Sequence, residues 1–209
     1  MMKSDVILKG FSIVNLSDMI SELEEDRVKD ILLDFCCPIN KDVENFLRYK
    51  AIEFSKQSLA KTHLIFCSYK SKLVLAAYFS LSNKFIQIER EALSKTLRKR
   101  ITKFGSYDQN IKKYIISAPL IAQLGKNFKY KELNLISGDE LLKIACNKIS
   151  SIQSDLGGKI VYLECEDVPK LKQFYIDNGF VEFAKRPLDR DEKDDLSGDY
   201  LIQMVKYLG

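Results

Sequence analysis

Apolar residues change their spacing several times along the chain, and each change marks an element. Residues 11–16 read as a short strand. From Ser17 onward, Met19, Ile20, Leu23, Val28, Ile31 and Leu32 fall at helical spacing, with an acidic interruption at Glu24-Glu25-Asp26. Pro38 and Asn40 break the chain. Val43, Phe46, Leu47, Ala51 and Phe54 then define one face of a second helix. Residues 62–69 and 73–81 are rich in apolar and aromatic side chains. The Lys70-Ser71-Lys72 interval between them predicts a hairpin.

Residues 89–113 break this rhythm. Lys95, Arg98, Lys99, Arg100, Lys103, Lys112 and Lys113 face Asp108 as the lone acid between positions 95 and 113, and apolar positions are sparse. Residues 114–125 read as a central strand, with Pro119 confined to an edge, a bulge or the strand's start. Residues 126–136 read as an irregular loop. Leu141, Leu142, Ala145 and Ile149 then line one helical face, and Ser137 with Glu140 forms a capping-box pattern. Gly157-Gly158 is a turn, 159–164 a buried strand and 168–178 a helix. Gly179 suits the left-handed position that ends a helix. Residues 180–183 and 200–207 are final strands, joined by a polar, mainly acidic connection expected to be mobile. Alternating strand and helix predicts a parallel pair in the second half, and the first half predicts antiparallel pairing. The expected fold is α/β: a single domain built on a mixed, largely antiparallel twisted sheet, with a parallel central strand pair and helices on both faces.

The chain has 209 residues, is 46% hydrophobic and carries a net charge of +4, which gives one well-buried core and no global affinity for polyanions. Cys36, Cys37, Cys67, Cys146 and Cys165 form no CxxC pair, so reduced, buried thiols are expected in place of disulfides or a zinc site. His63 is the single histidine, which excludes a multi-histidine metal site, and it is read as structural. No apolar stretch is long enough to span a bilayer, and no apolar core follows Met1-Met2-Lys3-Ser4-Asp5 as in a signal peptide. The expectation is a cytoplasmic protein without a metal.

The run from Val161 to Phe180 combines a buried strand, a tight turn, a short helix bearing Phe174-Tyr175, and the Gly179-Phe180 stop. That arrangement resembles the C-terminal half of the GNAT superfamily of acyl-CoA-dependent N-acetyltransferases. Ile121-Ala-Gln-Leu-Gly125 looks like the family's fourth-strand signature. The segments starting at Asn40-Lys-Asp-Val-Glu44, Ala60-Lys-Thr-His63 and Ala77-Tyr-Phe-Ser80 resemble a bacterial branch containing toxins that acetylate aminoacyl-tRNA. The resemblance covers most of the chain outside the insertion at about 89–113. It implies a single acyl-CoA N-acyltransferase domain over 1–209.

The resemblance implies acetyl transfer from acetyl-CoA to a primary amine by direct attack. Tyr175 is then the general acid that protonates the departing thiolate. Leu171, Phe174 and Tyr175 also share the spacing of a core face, which is the reading without the resemblance. Glu164 or Glu166 would accept the amine proton, directly or through water. The fourth-strand main chain pairs with the pantetheine arm in the family, and the following helix start holds the pyrophosphate. The cofactor candidates are therefore Gln123, Leu124, Gly125, Lys126, Ser137, Gly138 and Asp139.

The chain departs from the family pattern in two places. Gly138 alone remains of the glycine-rich phosphate turn, where Asp139 and Glu140 would repel a phosphate and Lys126, Lys129 and Lys131 would offset them. Val168 stands where an asparagine usually precedes the helix tyrosine, and Asp167 is the nearest replacement. Acceptors are a small-molecule, peptide or protein amine, or aminoacyl-tRNA held by the basic insertion, with Phe104 and Tyr107 as stacking platforms. A homodimer is compatible, and a GNAT-fold binding module without catalysis is the third class.

Overall fold

Asparagines open the N-terminal helices. Asn15 ends strand β2 (Phe11–Asn15), and its side chain accepts the Ser17 N–H at 2.8 Å to start α1 (Leu16–Glu22). The chain leaves the helix at Leu23 and Glu24, and Glu25 and Asp26 open α2 (Glu25–Leu33), so the expected single helix is two. Asn40 caps a helical stretch built from α3 (Lys41–Asn45), a π-helical segment (Phe46–Lys50) and α4 (Ala51–Lys56). A four-residue strand, β1 (Asp5–Leu8), precedes β2 and pairs with it. The computed structural model describes residues 5–8, 10–69, 71–190, 192, 193, 196 and 198–209. Met1 to Ser4, Lys70 of the expected hairpin turn, and Asp191, Asp194, Asp195 and Ser197 of the acidic connection lie outside the described residues.

The hairpin forms from β3 (Lys61–Tyr69) and β4 (Lys72–Glu89), the latter running well beyond the expected 73–81. The basic segment at 89–113 is partly ordered into regular elements. It contains α5 (Lys95–Ile101), a 3-10 turn (Thr102–Phe104) and β5 (Gly105–Asp108), which pairs with β6 (Lys113–Lys126). Gly105 is required there, because an added Cβ would lie 2.4 Å from the Ile115 carbonyl oxygen. After β6 come a 3-10 segment (Phe128–Leu133), α6 (Gly138–Leu156), β7 (Ile160–Glu166), α7 (Pro169–Asp177), β8 (Val181–Pro187) and β9 (Tyr200–Tyr207).

Among the described residues, nine strands form one sheet in the order β1-β2-β3-β4-β6-β7-β9-β8, with β5 beside β6. β6 and β7 are parallel, with Leu120 opposite Tyr162 and Ile121 opposite Leu163, while the other assigned registers are antiparallel. Pro119 falls between the register to β5, which ends at Ile116, and the register to β7, which begins at Leu120, so its missing N–H breaks no bond of either ladder.

The chain divides into two compact units, Met1–Ser82 with Ala122–Lys143, and Asn83–Ile121 with Ile144–Gly209. In the first, Leu16, Leu32, Phe35, Leu47, Leu64 and Tyr78 are fully buried together. Burying each large side chain is worth about 1.5–3 kcal/mol. His63 is buried and stacks flat on Phe79 at 4.8 Å, in keeping with its structural reading. In the second, Ile116, Val161, Leu163, Phe180, Ile202 and Met204 are buried. The five cysteines are free thiols, with Cys36 half-buried and the others buried.

Candidate functional site

In the first unit, β6 ends on candidates that the protein itself grips. Gln123 donates its amide to Asp42 at 2.8 Å, tying the strand to the first turn of α3. Gly125 is a packing glycine, since an added Cβ would sit 2.4 Å from Val43 Cγ1, 3.1 Å from Phe35 and 3.2 Å from Tyr78. The Tyr78 hydroxyl donates to the Val43 carbonyl at 2.6 Å, fixing the same corner. Leu124 and Lys126 are half-buried on either side of Gly125.

Asn127, which the sequence reading passed over, completes the strand end. Its Nδ2 donates to the carbonyls of Leu75 (2.9 Å) and Asp34 (3.3 Å), and its Oδ1 accepts the N–H groups of Cys36 (3.1 Å) and Lys129 (3.0 Å). Nearby, the buried Glu44 accepts the Cys37 N–H at 2.5 Å and pairs with Arg48 at 3.1 Å. The Cys37 N–H, seconded by Arg48, holds the Glu44 carboxyl below its ordinary range, while burial pushes the Cys37 thiol up to about 11. No periodic signal marks either residue; a polar residue directly following an apolar strand was the available hint for Asn127.

The capping box is formed. The Ser137 hydroxyl accepts the Glu140 N–H at 3.1 Å, and the Glu140 carboxylate accepts the Ser137 N–H at 2.9 Å. Ser137 and Gly138 are half-buried at this helix start, and Asp139 is exposed. A small pocket precedes it, lined by Ala76, Asn127, Tyr130, Lys131 and Ile136 with Lys126 at its wall. Lys129 is turned to Asp34, which holds its ammonium charged, so Lys126 and Lys131 are the cations left beside the pocket. A diphosphate fits this chemistry: two lysines and the amide end of a long helix.

In the second unit, Tyr175 is 8% exposed on α7, edge-on to Phe174 (5.0 Å) and Phe180 (5.9 Å). Burial, with a smaller contribution from Cys165, raises the phenol pKa well above its usual value. Burial likewise pushes the Cys165 thiol up to about 11, which removes it as a nucleophile at neutral pH. Strand alternation puts Cys165 on one face of β7 and Tyr162, Glu164 and Glu166 on the other. The acid candidate therefore belongs to one face of the strand, and the carboxylate candidates to the opposite face.

Glu164 is already engaged. Its Oε2 accepts from Arg186 Nε at 2.9 Å and pairs with Arg186 Nη2 at 2.8 Å, and its Oε1 accepts from Gln203 at 2.7 Å. Asp167 accepts the Tyr200 hydroxyl at 2.8 Å and pairs with Lys172 at 3.3 Å. Glu166 lies between them at the end of β7, half-buried. Described residues of the connection after β8 make contacts back onto the sheet. Leu188 is buried and bonds to Asp199, and Glu192 is held by Arg186 through two hydrogen bonds.

On α5, Lys95 and Lys99 are exposed one turn apart, with Lys103 exposed just beyond, and Arg100 stacks over Tyr207 at 5.5 Å. Tyr107 is 37% exposed and meets Tyr114 edge-on, which leaves part of its ring as a platform, whereas Phe104 is turned toward Tyr207. Among the described residues no cluster of ligating side chains for a metal forms, and no helix is long and apolar enough to cross a membrane.

No family model matches the chain, and no curated protein matches it. Solved structures share its fold. AtaT complexed with acetyl-methionyl-tRNAfMet aligns with a TM-score of 0.55 at 17% identity, over 82% of this chain and 85% of its own. A tyrosine-to-phenylalanine mutant of KacT aligns at 0.59 and 16% identity, over 93% and 94%. AtaTR bound with acetyl-CoA aligns at 0.54 and 14% identity, over 93% of each chain. The fold is GNAT-like, as the resemblance in the sequence implies.

Proposed function

We propose that this chain is an acetyl-CoA-dependent N-acetyltransferase whose acceptor is the primary amine of an aminoacyl-tRNA, and that it works in the cytoplasm. The observation that carries the reading is the fold it shares, across 82% of its length with AtaT in complex with acetyl-methionyl-tRNAfMet and across 93% with AtaTR bound with acetyl-CoA. The pocket beside Lys126 and Lys131, the capped start of α6 and the buried Tyr175 supply chemistry that the reaction needs.

Acetyl-CoA supplies an acyl group activated as a thioester. Lys126 and Lys131, with the Gly138 N–H at the start of α6, would hold its diphosphate, and the β6 main chain around Leu124 would pair with its amide arm. The acceptor nitrogen attacks the acyl carbon with its lone pair. A carbon–nitrogen bond forms, the carbon–sulfur bond breaks, and the electron pair leaves on sulfur. Tyr175 gives that sulfur its phenolic proton. Burial keeps the phenol protonated through the physiological range, so the acid is always loaded. The amine must lose a proton, and Glu166, at the end of β7 on the face away from Tyr175, takes it through water. Lys95, Lys99 and Lys103 attract RNA phosphates, and Tyr107 offers a stacking face.

The test is transfer of labelled acetyl from acetyl-CoA to charged tRNA, uncharged tRNA, peptides and small amines. Label on the charged tRNA alone is the expected result. Label on peptides or small amines alone moves the acceptor class. Acetyl-CoA binding without transfer to any of them reduces the chain to a binding module.

A further inference from the structure

Arg186 makes more polar contacts than its place on the outermost strand β8 requires. Its guanidinium has five N–H donors. Nε donates to Glu164 at 2.9 Å, and Nη2 reaches Glu164 at 2.8 Å and Glu192 at 2.7 Å. Nη1 is shared among the Pro187 carbonyl (3.0 Å), Asp189 (3.2 Å) and Glu192 (2.9 Å). Glu192 also accepts the Asp189 N–H at 2.8 Å, which folds the start of the connection back onto the same carboxylate. Glu164 in turn accepts from Gln203, its cross-strand neighbour on β9. One planar cation thus joins β7, β8, β9 and the turn after β8. The carboxylates around it, Glu192 first and Glu164 next, raise the already high guanidinium pKa, so the hub does not lose its charge.

A second fastening lies one residue past the end of β7. Asp167 is gripped by Tyr200 and Lys172, and Lys172 also pairs with Glu182 at 2.9 Å. Glu166 lies between Glu164 and Asp167 at the end of β7. A surface ion pair is worth little by itself, but a fork that satisfies two carboxylates at once fixes geometry as well as charge.

We propose that Arg186 is a positioning residue for the reaction: it clamps the end of β7 that presents Glu166, and Asp189 with Glu192 forms the clamp's second jaw. This rests on the reading of Glu166 as the group that takes the acceptor's proton. The clamp acts on the acceptor's step and leaves acetyl-CoA binding alone.

The experiment compares wild type with Arg186→Lys and Glu192→Gln. Lysine keeps the charge but cannot bridge both carboxylates. The expected result is a fall in kcat/KM for the acceptor of about tenfold to a hundredfold, the scale of a misplaced catalytic group, with a displaced acid limb of the pH profile and an acetyl-CoA KM within about twofold of wild type. Faster amide hydrogen exchange at residues 164–167 in both variants is expected alongside. Unchanged exchange at those amides overturns the clamp, whether or not the wild type transfers acetyl groups. Faster exchange with an unaltered acceptor pH profile also overturns it, because the hub is then merely structural. A wild type that transfers nothing refutes the acetyltransferase reading and the clamp's role in the reaction together. Exchange at 164–167 then shows whether Arg186 holds the strand end at all.

Discussion

The Tyr175 ring meets Phe180 edge-on with centroids 5.9 Å apart, one residue beyond the glycine that ends α7. Gly179 has a φ of +81°, so the chain turns sharply and sends Phe180 back under the helix. The ring is therefore a core ring, and in the proposed mechanism its hydroxyl is the group that acts. Tyr175→Phe keeps the packing and removes the proton. Turnover is expected to fall by about a hundredfold to ten-thousandfold, with the melting temperature shifted by no more than a few degrees. Turnover equal to wild type would remove Tyr175 as the acid.

Gly125 tests whether the β6 end is built for packing. Gly125→Ala drives a methyl into Val43 Cγ1 at 2.4 Å, and that contact lies between a strand and a helix pinned by Tyr78. Overpacking of this kind costs about 1–3 kcal/mol. Chemical denaturation should show that loss. A variant as stable as wild type would mean that Val43 yields freely.

Asn127→Ala strips partners from two carbonyls and two N–H groups. Leaving buried polar groups unsatisfied costs about 1–3 kcal/mol each, with partial relief from water, so a loss of about 3 kcal/mol is expected on denaturation. A loss below about 1 kcal/mol would show that water replaces the amide.

Glu44 gives the fold a pH dependence. Its folded pKa is depressed, chiefly by the Cys37 N–H. Such a group contributes stability above the unfolded carboxylate pKa of about 4.3, and that contribution is lost as pH falls through the lower folded value. Wild type should exceed Glu44→Gln in denaturation midpoint at pH 7, and the gap should narrow as pH falls below about 4. A constant gap across that range would contradict the assignment.

The α5 cations set the RNA arm of the account. Replacing Lys95, Lys99 and Lys103 with glutamate touches exposed side chains. The slope of log affinity for charged tRNA against log salt should fall in magnitude by about 2–3. An unchanged slope would place the RNA contact elsewhere.

Much of this architecture is written in local sequence. The Ser137–Glu140 box, the Gly179 stop and the strand-helix-strand order after residue 137 follow from caps and periodicity, and each is present in the structure. Other features depend on partners distant in sequence. β5 is too short and too polar to announce itself, and it becomes a strand by pairing with residues 113–116 of β6. Asn127 and Glu44 read as ordinary polar residues until the loop through Cys36 and Cys37 folds onto them. Arg186 and Glu192 looked like parts of a solvated acidic connection, and their fork with Glu164 exists once β7, β8 and β9 are adjacent. Glu164 was a fair catalytic candidate by position on β7, but pairing with Arg186 and Gln203 is not encoded in its neighbours.

Calorimetric titration of the purified chain with acetyl-CoA tests the central claim most directly. The account predicts saturable micromolar binding, weakened by charge reversal of Lys126 and Lys131. No heat of binding at millimolar acetyl-CoA would contradict it, and would leave a GNAT-like fold without the chemistry.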